Sequence, residues 1–288
     1  MQKVLITGVR SSLGGKIAKQ FSQDYEIIAT NRTPMPDTVQ LDITNKEQVK
    51  QVLEKYSPDI LIHNAALTSP GYCEQNKGEA ILVNVEGTKN LIEHFKGKKI
   101  IYISTHWIFD GKKGNYTEED IPNPLNHYGL TKLKSEELVK NSDIEFLIAR
   151  VSALYGYNSE LDSKKFVLWL IDSLKNKNKV KLFTDHITNP TLINDIASAL
   201  LKLKDKQGIY HVVSSNSISN YDIGLKICEI FNFDKELMTQ VSVDDDPILQ
   251  RGKDLSLNTD KIIKEGIAMI DINSGLRILK EKLDKVRV

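Results

Sequence analysis

A tyrosine and a lysine stand four positions apart in the stretch YGLTK, as Tyr128 and Lys132. On a helix that spacing puts both side chains on one face, a turn apart. A phenol, with its ordinary pKa of about 10, is a weak acid. A neighbouring ammonium that stabilises the phenolate makes it a usable proton donor for an alkoxide forming on a reduced carbonyl. The pair alone is a weak signal, because a chain with ten tyrosines and abundant lysine supplies one by chance, and a helix-surface tyrosine is the plain alternative. Position adds meaning. The pair lies one strand-to-helix step after YISTHW, which puts Ser104 and Thr105 at the carboxyl end of a strand, with Thr105 able to orient the same oxygen.

A second chemical element lies in VLITGVRSSLGGKIA, residues 4–18. It reads as a buried strand, a tight turn and the start of a helix. Gly8 can take the positive φ that leaves the strand, and Gly14 lets the helix pack close to the sheet. Ser11 replaces the usual middle glycine, which a negative φ allows, and its hydroxyl could donate to a phosphate. The first-turn residues Ser12, Leu13 and Gly14 would offer backbone amides and a positive dipole end to a pyrophosphate. About 20 residues on, NAD-binding turns place a carboxylate on the adenosine ribose. Asn31 and Arg32 stand there instead. With Arg10 in the turn, two guanidinium groups suit a 2′-phosphate, so NADPH is the expected cofactor and NADH the second choice. Asp42 and Ile43 are placed to hold the adenine edge and face. The alternatives are a purely structural turn and a merely superficial Arg32.

These residues need a scaffold. The segments KVLIT, YEIIAT, VQLDI, DILIHNAA, KKIIYIST and EFLIAR read as strands, and their unbroken apolar character predicts a parallel sheet covered on both faces. Helical patterns lie between them at about 13–22, 46–55, 78–95 and 129–141. In the third, Ala80, Leu82, Val83, Leu91, Ile92 and Phe95 form an apolar stripe. The βαβ rhythm implies a doubly wound Rossmann-type sheet. After Arg150 the rhythm changes to a helix over Phe166–Leu174, a late strand near 208–215, a helix at 219–231, an acidic loop at 244–246 and a final helix from about 273. The expected division is a dinucleotide-binding domain at 1–150 and a mainly substrate-binding lobe at 151–288, with about 180–215 returning to the sheet.

Bulk properties narrow the class. The 288 residues are 40% hydrophobic with a formal net charge of +1, which argues against nucleic-acid binding. Lys98-Lys99 and Lys112-Lys113 read as solvated surface. Cys73 and Cys228 lack metal or disulfide spacing, and His63 and His127 beside the motifs suggest no metal site. The first apolar run is too short for a leader, and no run reaches a membrane span, so a soluble cytoplasmic protein is expected.

Taken together, TGxxxxLG, HNAA, a threonine after the fifth strand and YxxxK resemble the extended short-chain dehydrogenase/reductase family. More narrowly, STHWIFDGKKGNYTEEDIPNPLNHYGLTK, ARVSALYG, NPTLINDIA and QRGKDLSLNTDKI resemble segments of dTDP-4-dehydrorhamnose reductases. The resemblance implies hydride transfer from a nicotinamide to a ketone on a nucleotide-linked sugar. Thr105, Tyr128 and Lys132 would be catalytic, with Lys132 also on the nicotinamide ribose. Asn64, Ala65, Ala66, Asn84 and Ser104 would complete the cofactor groove, and a homodimer is allowed.

Departures bear on the substrate. The subfamily's Asp-Tyr after the threonine is His106-Trp107 here, with His106 either a sugar ligand, an extra proton source or a packing residue. The sugar-stacking tryptophan of RTSWVYG is Ala153, unless Trp107 takes its place. The usual Arg-Pro near the C-terminus is Arg251-Gly252, leaving Arg251 a candidate for the substrate diphosphate. The carboxylate that sugar dehydratases carry after the threonine is absent. Two other functions compete. The regulatory β-subunits of methionine adenosyltransferase look similar, including EEDIPxPLNxYGxTKL. A nucleotide-sugar epimerase holding NAD is disfavoured by Asn31-Arg32.

Overall fold

The computed structural model describes residues 1–157, 165–246 and 249–286. The first half runs β1 (Lys3–Thr7), α1 (Ser12–Phe21), β2 (Glu26–Asn31), β3 (Val39–Gln40), α2 (Lys46–Tyr56), β4 (Ile60–His63), α3 (Pro70–Gln75), α4 (Lys77–Ala80), α5 (Gly87–His94), β5 (Lys99–Thr105), α6 (His127–Lys140) and β6 (Glu145–Val151). The second half adds β7 (Leu154–Tyr155), α7 (Phe166–Lys175), β8 (Val180–Phe183), β9 (Ile187–Thr188), β10 (Thr191–Leu192), α8 (Ile193–Lys202), β11 (Gly208–His211), β12 (Ile218–Ser219), α9 (Asn220–Phe231), β13 (Met238–Val241), α10 (Asp260–Lys264) and α11 (Ile272–Val286).

Seven strands pair in the order β11-β6-β5-β4-β1-β2-β3, and every pairing is parallel. Alternate residues explain the unbroken apolar runs. Ile6, Ile62 and Ile101 face one core with Ile17 of α1 and Leu200 of α8. Their neighbours Leu5, Leu61 and Ile100 face the other with Leu53 of α2 and Leu91 of α5. A sheet buried on both faces leaves no polar alternation to read. The strand order reverses between β1 and β4, and that switch point opens the crevice where open α/β sheets take ligands.

Three differences from the sequence reading have physical reasons. The helix expected at 78–95 runs from α4 into α5 through a π turn at Ile81–Glu86. The extra residue rotates the apolar stripe, so Leu82 is 48% exposed while Asn84 turns inward at 1%. Of the stretch at about 180–215, only β11 joins the main sheet. β8 pairs instead with β13, β9 with β12, and β10 with β7. Helices α3, α8 and α10 fall where no helix is expected from the sequence; α3 is signalled by its Ser69 cap and Pro70 at the first turn. The late segments build a second core from Val167, Leu170 and Ile171 of α7, Ile223 and Ile227 of α9, and Leu276 and Leu279 of α11. Among the described residues, no helix is long and apolar enough to cross a membrane.

One polar clasp crosses the interior. Arg150 of β6 meets Glu136 of α6 through two bonds, Nε to Oε1 at 3.0 Å and Nη2 to Oε2 at 2.8 Å. The Ser104 hydroxyl of β5 donates to the same carboxylate at 2.5 Å. Glu136 is fully buried and Arg150 almost so. Removing one partner strands a buried charge. Arg150→Met should therefore destabilise the fold by roughly 3–5 kcal/mol. Replacing Glu136 by Met as well should return much of that loss, both read by chemical denaturation.

Candidate active site

The glycine turn is built as the spacing requires. Gly8 has φ +71°, and a Cβ there would lie 3.0 Å from the Ala65 Cα. At Gly14 a Cβ would strike the Gly8 carbonyl and come within 2.8 Å of the Asn64 side-chain nitrogen. Asn64 ties the two strand ends together, donating to the Gly8 carbonyl at 3.1 Å and to the Ser11 hydroxyl at 2.9 Å. The Ala65 amide donates to Thr7 Oγ1 at 3.0 Å. Ser11 takes φ −67°, as a non-glycine residue must. Its hydroxyl is spent inside the turn, donating to the Gly8 carbonyl at 2.9 Å and capping the Gly14 amide at 3.0 Å. Ser11, expected from the sequence to donate to a phosphate, here serves as the cap of α1. Ser12 is buried and accepts a hydrogen bond from Lys165, while Leu13 packs in the core. The α1 amino end, with no acidic side chain in its first turn, faces the crevice, and these residues fit a dinucleotide's pyrophosphate.

Beyond β2, Arg10 and Arg32 are both exposed. Asn31 is buried and bonds the Thr33 carbonyl at 2.8 Å. One Asp42 oxygen is occupied by the Thr44 amide and hydroxyl at 2.9 and 2.7 Å. Ile43 faces α5 and belongs to the core; a Cβ on Gly87 would lie 2.7 Å from its Cδ1. Ala66 is half-buried beside the turn. Asn84 is committed to the protein: its amide donates to the Leu67 carbonyl and Thr131 hydroxyl at 3.1 and 2.9 Å, and its oxygen accepts the Leu67 amide at 2.8 Å. It anchors the loop after β4 to α6. Ser104, expected beside the nicotinamide, instead points its hydroxyl away at Glu136.

The proton-handling group sits between β5 and α6. Asn126 caps α6 by accepting the Gly129 amide at 3.0 Å. A Cβ at Gly129 would meet the Trp107 carbonyl and lie 2.9 Å from Pro124 Cβ, so glycine permits this approach. Tyr128 is 6% exposed. Burial pushes its phenol well above the ordinary range, and its hydrogen bond with the Thr105 side chain pulls the other way. Lys132 is 3% exposed and donates from Nζ to the Ile103 carbonyl at 2.8 Å, its ammonium 4.1 Å from the Tyr102 ring centroid. Burial pulls Lys132 down to about 7, with Glu136 opposing. The lysine amine thus engages β5, and Thr105 is the group that eases the phenol.

On the substrate side, His106 is buried, bonds the Val151 carbonyl through Nδ1 at 3.3 Å, and is pushed down to about 3 by burial. A neutral histidine at working pH is a packing or acceptor group, not the extra proton source. Trp107 extends from the turn after β5, its ring 5.6 Å from those of His106 and His186. The Arg251 guanidinium lies 5.7 Å from the Trp107 ring and 5.5 Å from Phe183, and is paired with Asp246 at 2.8 Å. Ala153 takes φ +40°, a bend that favours glycine, and adds no aromatic surface. Phe183, His186 and Asp246 carry no motif and escape the sequence reading; Glu136, four residues after Lys132, was within its reach. Among the described residues, no three of His, Cys, Asp and Glu are grouped to hold a metal.

Residues 1–283 match the family described as RmlD substrate binding domain. The dTDP-4-dehydrorhamnose reductase of Aggregatibacter actinomycetemcomitans is 33% identical over 240 residues, 79% of this chain and 78% of that protein. Methionine adenosyltransferase 2 subunit beta of Rattus norvegicus is 30% identical over 281 residues, 92% of this chain and 83% of its own length. The crystal structure of dTDP-4-dehydrorhamnose reductase from Bacillus anthracis str. Ames in complex with NADP has a TM-score of 0.88 at 28% identity, covering 98% of this chain and 100% of that one. From its first residue to within a few of its last, the chain belongs to the RmlD substrate binding domain family.

Proposed function

We propose that the protein is an NADPH-dependent reductase of a nucleotide-linked 4-keto-6-deoxy sugar. The observation that carries this reading is the convergence of Thr105, Tyr128 and Lys132 at the carboxyl end of β5, all buried. The reductase relatives and the NADP-bound structural neighbour support it. Bound reduced nicotinamide would supply the hydride. Tyr128 gives its hydroxyl proton to the ketone oxygen as that oxygen gains charge, and solvent later reprotonates the phenolate. Thr105 orients phenol and ketone, and Lys132 supplies positive charge one turn away and reaches the cofactor ribose. Desolvation keeps Tyr128 protonated until charge develops beside it. Trp107 offers the stacking surface that Ala153 lacks, and Arg251 exchanges Asp246 for the substrate diphosphate.

A second reading rests on one observation. The match to the methionine adenosyltransferase β-subunit spans 92% of this chain, more than the 79% spanned by the reductase match. In that case the site binds a dinucleotide and serves a partner enzyme. NADPH oxidation against dTDP-, UDP- and GDP-linked 4-keto-6-deoxy sugars separates the two. Turnover of any member supports the reductase; NADPH binding with no turnover across the panel supports the regulatory subunit.

Two further outcomes are expected. NADPH should bind at least about tenfold more tightly than NADH, since a charge-assisted contact contributes roughly 1.5–3 kcal/mol. Arg32→Ala should erase most of that preference in calorimetry, and an unchanged ratio would reject the assignment. Tyr128→Phe should keep NADPH affinity while turnover falls by roughly 10²–10⁴, the usual worth of a positioned proton donor.

A further inference from the structure

Three successive residues of β5 are each held by one residue of α6. Thr105 meets Tyr128, the Ile103 carbonyl takes the Lys132 amine, and the Ser104 hydroxyl takes Glu136. Lys132 and Glu136 are four apart on one helix face, and both are buried. A carboxylate gripped bidentately by a guanidinium is ionised, so Glu136 is a fixed negative charge inside the protein. Arg150 reaches it from β6, the strand beside β5. The carboxylate is also within electrostatic reach of Lys132, one helical turn away.

We propose that Glu136 is a positioning residue for Lys132: its carboxylate, anchored by Arg150 and Ser104, holds the lysine as a buried cation beside Tyr128. The consequence for turnover rests on the reductase reading; the charge coupling does not. Without Glu136, a desolvated lysine sheds its proton, because burial disfavours the charged form. The other groups facing Lys132 cannot substitute. His63 of β4 is pushed to about 3 by burial and is neutral. Tyr102 of β5 and Tyr128 of α6 are both raised by burial and also neutral. Arg150 is itself a cation, paired with Glu136. Among these neighbours, the carboxylate gripped by Arg150 is the negative charge that Lys132 meets.

The test is a double-mutant cycle between Glu136→Gln and Lys132→Met, read by chemical denaturation without substrate or cofactor. Glutamine keeps the shape and two polar ends of Glu136 but not its charge. The sign follows from the depressed lysine. At pH 9 folded Lys132 is neutral with or without Glu136, since it titrates near 7 in the intact protein. Near pH 5.5 it is charged in the intact protein and largely neutral in Glu136→Gln. The cycle should therefore show a coupling of about tenfold in the folding equilibrium at pH 5.5 that disappears by pH 9. Ser104→Ala paired with Lys132→Met controls for the clasp and should give a small, pH-independent coupling. If Glu136 only packs, its coupling will be the same at both pH values, and the proposal fails. Should the protein reduce a sugar, the alkaline limb of its turnover profile must move to lower pH in Glu136→Gln; an unmoved limb would also overturn the assignment. Absence of turnover touches only the reductase reading, because the denaturation cycle stands without it.

Discussion

The buried clasp of Glu136 with Arg150 of β6 and Ser104 of β5 fixes the one relation the site cannot lose, that between α6 and the end of β5. A carboxylate and a guanidinium taken out of water are costly unless every oxygen and nitrogen finds a partner in good geometry. Here two bonds from Arg150 and one from Ser104 satisfy both carboxylate oxygens, and the guanidinium is held through Nε and Nη2. The register of strand against helix is then no longer free to slide. Thr105, Tyr128 and Lys132 inherit their alignment from it, and Gly129 allows the approach by leaving room for the Trp107 carbonyl.

The dinucleotide crevice follows a different logic, in which backbone does the binding and side chains hold the backbone. Gly8 and Gly14 are required by positive φ and close contact, whereas Ser11 is tolerated because its φ is ordinary and its hydroxyl closes the turn. Asn64 extends that closure to the end of β4, tying together the two strands that flank the switch point. The exposed Arg10 and Arg32 are the residues proposed to choose the cofactor. Trp107, Phe183, His186 and Arg251, the group proposed to meet the substrate, are brought together from three separate parts of the chain.

Much of this was legible in the sequence where the governing interactions are local. Strands buried on both faces read as apolar runs, and helices α1, α2, α6 and α9 begin at Ser11, Asn45, Asn126 and Ser219, each of which caps by its own side chain. Partners distant in sequence were not legible. Ser104 is claimed by Glu136, and Asn84 by Leu67 and Thr131. The π turn at Ile81–Glu86 defeated the apolar stripe because one inserted residue changes the phase without changing composition. For His106 the sequence left ligand, proton source and packing residue open, because burial, which sets its protonation, is not reported by spacing.

The account makes Tyr128 the proton donor in a hydride transfer to a nucleotide-linked sugar. The most direct test follows the label. The protein is given NADPH deuterated at the transferring carbon and a mixture of dTDP-, UDP- and GDP-linked 4-keto-6-deoxy sugars, and the sugars are weighed by mass spectrometry. The account predicts one reduced sugar carrying the deuterium, and almost none at equal NADPH occupancy when Tyr128 is phenylalanine. Undiminished deuterium transfer by the Tyr128→Phe protein, or no label in any sugar while NADPH is bound, would contradict it.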